Sequence, residues 1–342
     1  MVRNYSFSGR INAGYRCLDS CTFEDSLICD KAANCNKGLQ FAIDDRLSHM
    51  KEYGGIDATI DEVDSFFGHV DVYSPLYGGR MAGSARGRGH GCNMSEENIK
   101  WLNDRGIGIK LTLTNPHFNI EKYARTRDLL DKYHYAPNMV LTTSNEFAEL
   151  VRKDYPNYKV EASVINNFDT VEKLNEVWDL YDTIVLPIIC NGRPDGSQMM
   201  EGIDNLKYPE KIRLFINVEC SYTCPKKLCY PKIGLANEVL SKEHDPIQAF
   251  IMGGSAALTQ KKEGAEWFVK GQKQTTMDHA CSAYLGLDRI FHQDEIEWRK
   301  FYFPLERFTQ FGINKWKVLF PDISQGRWHL MHKDFYENRN GN

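Results

Sequence analysis

Ser95-Glu96-Glu97-Asn98-Ile99-Lys100-Trp101-Leu102-Asn103-Asp104-Arg105-Gly106-Ile107-Gly108-Ile109-Lys110-Leu111-Thr112-Leu113-Thr114-Asn115-Pro116 is a complete helix-to-strand unit written in local signals. Ser95 has the character of an N-cap, with Glu96, Glu97 and Asn98 in the first turn, so a helix opens there and runs to about Asp104. Arg105-Gly106 closes it. Ile107 to Thr114 then alternates as a strand, which Asn115-Pro116 ends.

The same rhythm continues on both sides. Downstream the pattern predicts a helix near 120–132, a strand Met139 to Thr142, and a helix opened by Ser144 that runs to Lys153. It continues with a strand Lys159 to Val164, a helix capped by Asp169 or Thr170 that runs to Leu180, and strands Thr183 to Ile189 and Ile212 to Val218. Upstream, Ile56, Ile60, Val63, Phe66 and Phe67 make a helical apolar stripe, followed by a β-like run Val70 to Tyr73. Gln248 to Met252 and Lys315 to Phe320 bring the strands to eight. Strands alternating with helices predict right-handed βαβ units and a parallel sheet. Eight units in a chain of 342 residues suit an α/β fold of the TIM-type (β/α)8 barrel class, with room for irregularity, better than an open doubly wound sheet. The barrel is expected over 56–325, between an irregular cysteine-containing segment, 1–55, and a tail, 326–342. From 230 to 312 the pattern is mostly helical, and Trp298, Phe301, Tyr302 and Phe303 fit a core stripe.

The net charge of −4 gives no global attraction to nucleic acid, although a local basic groove depends on distribution rather than the total. No stretch approaches the roughly 20 apolar residues of a membrane span. Met1 to Phe7 has no apolar core of signal-peptide length. Ten cysteines without such a signal imply a reducing compartment, and the cytoplasm is the expected location.

Three of those cysteines stand together. Ile216-Asn217-Val218-Glu219-Cys220-Ser221-Tyr222-Thr223-Cys224-Pro225-Lys226-Lys227-Leu228-Cys229 carries a strand-like run into a polar turn with thiols at CxxxCxxxxC. Thiolates so spaced can converge on one soft metal centre and leave one position for another ligand. Buried free cysteine is the competing account, but Pro225, Lys226 and Lys227 make a poor core pattern. Cys17, Cys21, Cys29 and Cys35 match no motif; they fit a second metal, a redox pair or free thiols in a cap.

In a barrel, chemistry sits where strands end and βα loops begin. Those positions hold Tyr73 and Ser74, Asn115 and His117, Ser144 and Asn145, Asn166 and Asn167, Cys190, Asn191 and Arg193, then Asn217 and Glu219. Asn also suits turns and caps for purely local reasons. After Tyr73 comes a loop rich in glycine, Gly78 to Gly91, in which Arg80, Arg86 and Arg88 offer guanidinium groups for phosphate or carboxylate. Tyr73, Tyr77 or His117 could stack on a base or serve as acid or base.

These parts, in this order, resemble the collagenase-like peptidase family (peptidase U-thirty-two), a group of iron–sulfur proteins. Val70-Asp71-Val72-Tyr73 with Gly78-Gly79-Arg80 looks like its opening strand and glycine loop, and Ile107 to Asn115 is similar to its second strand. Asn217-Val218-Glu219-Cys220 with Cys224-Pro225 resembles its Asn-x-x-Cys-x-x-x-Cys-Pro. Phe311-Gly312-Ile313-Asn314-Lys315-Trp316-Lys317-Val318 resembles the closing Gly-Ile-x-x-Phe-Lys strand, which here continues as Leu319-Phe320-Pro321-Asp322 rather than Glu-Gly-Arg.

The resemblance implies a TIM-like barrel holding a 4Fe–4S cluster, with relatives that include oxygen-independent hydroxylases of RNA bases or of a quinone precursor. It implies Cys220, Cys224 and Cys229 as ligands, with Cys281 favoured over Cys190 as the fourth. Tyr73, His117 and Asn115 are then the candidate catalytic residues, and Arg80, Arg86, Arg88, Asn217 and Glu219 the candidate substrate contacts. The implied partners are RNA, a nucleotide or a small planar molecule, together with an electron donor or oxygen-atom donor.

Other readings are a radical S-adenosylmethionine enzyme, whose familiar CxxxCxxC spacing is not met, and a non-catalytic protein stabilised by Zn2+ on the same cysteines. His329 and His332 fit a surface pair better than a ligand pair. A hydrolase is disfavoured, since there is neither a GxSxG elbow nor an HExxH helix.

Overall fold

The computed structural model describes residues 4–8, 36–70, 74–77, 93–192, 199–216 and 303–318. Eight parallel strands carry it: β1 Asn4–Ser8, β2 Val63–Val70, β3 Gly108–Leu113, β4 Met139–Thr142, β5 Lys159–Ala162, β6 Thr183–Val185, β7 Ile212–Phe215 and β8 Lys315–Val318. Each pairs with the next in chain order, and β1 pairs with both β8 and β2, so the sheet closes on itself. A two-residue strand, Asn93–Met94, extends the far end of β2. The (β/α)8 barrel expected from the sequence is the fold.

Described helices lie between the strands: α1 Asn36–Gly54, α2 Glu96–Asn103, α3 Ile120–Ala124, α4 Arg127–Tyr133, α5 Asn145–Asp154, α6 Val171–Asn175 and α7 Glu306–Thr309. The caps come from local chemistry. The Ser95 side chain accepts from the Asn98 amide, Ser144 from Phe147 and Thr170 from Lys173, each satisfying an orphan N–H of a first turn. Outward-facing strand residues form the layer against the helices. Ile109, Leu111 and Leu113 of β3 are buried there, and α1 sends Leu39, Ile43, Arg46 and Met50 inward at helical spacing. The Arg46 guanidinium lies over the Phe66 ring at 5.5 Å, and Phe66 meets Phe7 edge to face at 5.5 Å.

Several expectations change. The strand expected over Thr183 to Ile189 stops at Val185, and the helix expected near 120–132 is two, Ile120–Ala124 and Arg127–Tyr133. The first barrel strand is Asn4–Ser8, inside the segment read as irregular, and α1 occupies the end of that segment. The stripe from Ile56 to Phe67 is not a helix: a 3-10 turn, Ile60–Glu62, leads into a strand at Val63. Burial on both faces of β2 imitates helical spacing, and the strand ends at Val70 instead of beginning there. The helix capped by Thr170 runs to Asn175 rather than Leu180. The eighth strand is supplied by β1, while Gln248 to Met252 lies outside the described residues.

Candidate functional site

Parallel strands covered on both faces should read as apolar runs, yet β3, β5, β7 and β8 each carry a charge in mid-strand: Lys110, Glu161, Arg213 and Lys317. All four are buried. Their contacts show where they point. Lys110 Nζ on β3 donates to Glu161 Oε2 on β5 at 2.7 Å and to Ser6 Oγ on β1 at 3.0 Å. Both are two strands away, which only the barrel interior allows. Ser6, Lys110, Glu161 and Arg213 thus form one layer from alternate strands, in the manner of barrels of this kind.

Arg213 holds the layer together. Its Nε lies 3.0 Å from Glu161 Oε2 as an ion pair, off the line of a hydrogen bond. Its Nη1 donates to the Trp316 carbonyl at 3.1 Å and to Asp64 Oδ1 at 3.3 Å, and Nη2 pairs with Asp64 Oδ2. Asp64 reaches inward because of an irregular register: Tyr5 pairs with Val63 but Ser6 with Ser65, leaving Asp64 as an extra residue on β2. Ser65 Oγ donates to Ser6 Oγ at 3.0 Å and lies 2.8 Å from Asp64 Oδ1. Toward the N-terminal ends, Lys315 Nζ crosses from β8 to Thr183 Oγ1 on β6 at 3.3 Å. Toward the C-terminal ends, Lys317 Nζ sits 4.3 Å from the centre of the Phe67 ring and 5.6 Å from that of Phe215.

The charges settle one another. Burial would raise the Glu161 carboxyl, but Lys110, Arg213 and Lys317 hold it below the ordinary range. Asp64 behaves likewise under Arg213 and Lys110. Burial lowers the Lys110 amine and Arg213 adds to this, while Glu161 and Asp64 oppose it, bringing it to about 8. Burial lowers Lys317 further, to about 7; Glu161 raises it, and Lys110 and Arg213 push it down. The interior therefore holds two committed carboxylates and an amine that can be neutral at physiological pH.

Few of the residues expected from the sequence fall in this layer. Asn115 follows β3 and is buried, with its amide engaged by the chain around it: Nδ2 donates to the Pro75 carbonyl at 3.0 Å, and Oδ1 accepts from the His117 amide at 2.9 Å. It fastens residues 74–77 to the strand end. His117 is exposed. Cys190 is buried in the 3-10 turn Ile188–Asn191 after β6, and Asn191 Nδ2 donates to the Phe215 carbonyl of β7 at 2.6 Å. Tyr73, Arg80, Arg86, Arg88, Asn217, Glu219, Cys220, Cys224, Cys229 and Cys281 lie outside the described residues, as do Cys17, Cys21, Cys29 and Cys35. Among the described residues no three His, Cys, Asp or Glu side chains gather as a metal site, and no helix is long and apolar enough to cross a membrane.

The chain is similar to a solved structure. It is that of the U32 peptidase Mk0906, at 11% identity and a TM-score of 0.40, covering 94% of this chain and 93% of that one. At this distance the similarity assigns no residue a role. No family model and no curated protein matches the chain.

The four mid-strand charges were open to sequence reasoning. A lone ion in a run such as Ile109-Lys110-Leu111 or Trp316-Lys317-Val318 is costly unless paired, and the interior of a parallel barrel is where pairing is available.

Proposed function

We propose that this chain is an iron–sulfur enzyme of the peptidase U-thirty-two type that modifies a nucleobase or another planar substrate by oxygen-independent hydroxylation or a related step. The observation that carries the reading is where the cysteine run attaches. β7 ends at Phe215, the chain continues through buried Ile216, and Cys220 comes four residues later. At roughly 3.6 Å per residue, its Cα lies within about 14 Å of that of Ile216. The first thiol is therefore tethered to the C-terminal end of a barrel strand, the end that carries catalytic groups in this fold.

The donor set suits the group. Thiolates are soft ligands for iron–sulfur clusters, and Cys220, Cys224 and Cys229 leave a fourth place for Cys281 or Cys190. Cys190 gains support from its place beside the end of β7, through Asn191 and Phe215. When bound, a cluster supplies electron transfer or an open iron. The chain's own residues would do the rest: Arg80, Arg86 and Arg88 hold anionic groups, Asn217 and Glu219 contact substrate, and Tyr73 and His117 stack or move protons. An electron donor or oxygen-atom donor completes the partners. A zinc-stabilised binding protein uses the same thiols and is the second reading.

The test is anaerobic purification with absorption spectroscopy and iron, sulfide and zinc analysis of wild type and Cys224→Ser. A brown protein with iron and sulfide, both lost in the variant, supports the proposal. Colourless protein carrying zinc or no metal overturns it. Cys190→Ser and Cys281→Ser, measured the same way, identify the fourth ligand.

A further inference from the structure

We draw no further inference here: the strongest candidate, the side-chain cluster inside the barrel where Glu161 Oε1 is buried without a hydrogen-bond partner and the Lys317 amine faces the Phe67 and Phe215 rings, belongs to the charged layer already described, and nothing in the structure shows a cavity beside it that would admit a ligand.

Discussion

Glu161→Gln tests the charged layer most directly. Gln keeps the shape and one acceptor oxygen but removes the charge that Lys110 and Arg213 share at 2.7 and 3.0 Å. Both cations then stay buried with less compensation, and Lys317 loses the Glu161 charge that raises its amine. Removing one partner of a buried ion pair costs about 3–5 kcal/mol. At about 2.1 cal/mol/K of unfolding entropy per residue, a chain of 342 residues then melts roughly 4–7 °C lower. The carboxyl is depressed in the fold, so its contribution is present above the unfolded value of 4.5 and is lost as pH falls through the lower folded value. Wild type and variant should accordingly differ most near neutral pH and converge in acid. Urea unfolding at the two pH values measures this. Adding Lys110→Met to Glu161→Gln removes one orphaned cation and should recover part of the loss, a coupling that separately measured single variants would not predict by addition. A loss under about 0.5 kcal/mol at neutral pH, or strict additivity of the pair, would refute the network.

Three further outcomes are expected. Lys317→Met should stabilise the protein: the amine sits near 7 in the fold against 10.5 unfolded, so the penalty is full below about pH 7 and fades as pH rises toward 10.5. Urea unfolding should show a gain of a few kcal/mol near pH 7 that shrinks by about pH 9.5. Gly108→Ala places a methyl 2.2 Å from the Pro137 carbonyl oxygen, a backbone atom, and should cost about 1–3 kcal/mol or more in thermal unfolding. Ser95→Ala removes the cap on the Asn98 amide and should cost about 1 kcal/mol, with Ser95→Gly losing only a few tenths.

The helix starts at Ser95, Ser144 and Thr170 were legible because a cap is a contract between neighbours three residues apart. β3 was legible because its alternation is bounded by Arg105-Gly106 and Asn115-Pro116. Asn4-Tyr5-Ser6-Phe7-Ser8 was not, since nothing local makes those five residues a strand. They become one because β8 and β2 both offer open edges when the sheet curls round. The Val63 start of β2 was hidden for a related reason, apolar residues on both faces having no period-two signature. Of the candidate site residues, Asn115, His117 and Cys190 are described. Asn115 follows the end of β3 and spends its amide on the loop beside it. Cys190 lies in a 3-10 turn five residues beyond Val185, where β6 ends, rather than at the end of a strand reaching Ile189.

Composition, caps and strand periodicity determined an α/β barrel by themselves, because those signals act over a few residues and survive in any context. They also placed three thiols after the strand that begins at Ile212, the sixth as the sequence reads and the seventh once Asn4–Ser8 is counted. Only closure decided that Lys110 would meet Ser6 and Glu161, 104 and 51 residues away, and that Arg213 would reach Asp64, 149 residues away. Ion pairing in a low-dielectric interior depends on distances of a few ångströms, and sequence separation carries no information about those. The same closure set the Lys317 amine against the Phe67 and Phe215 rings, where burial lowers it.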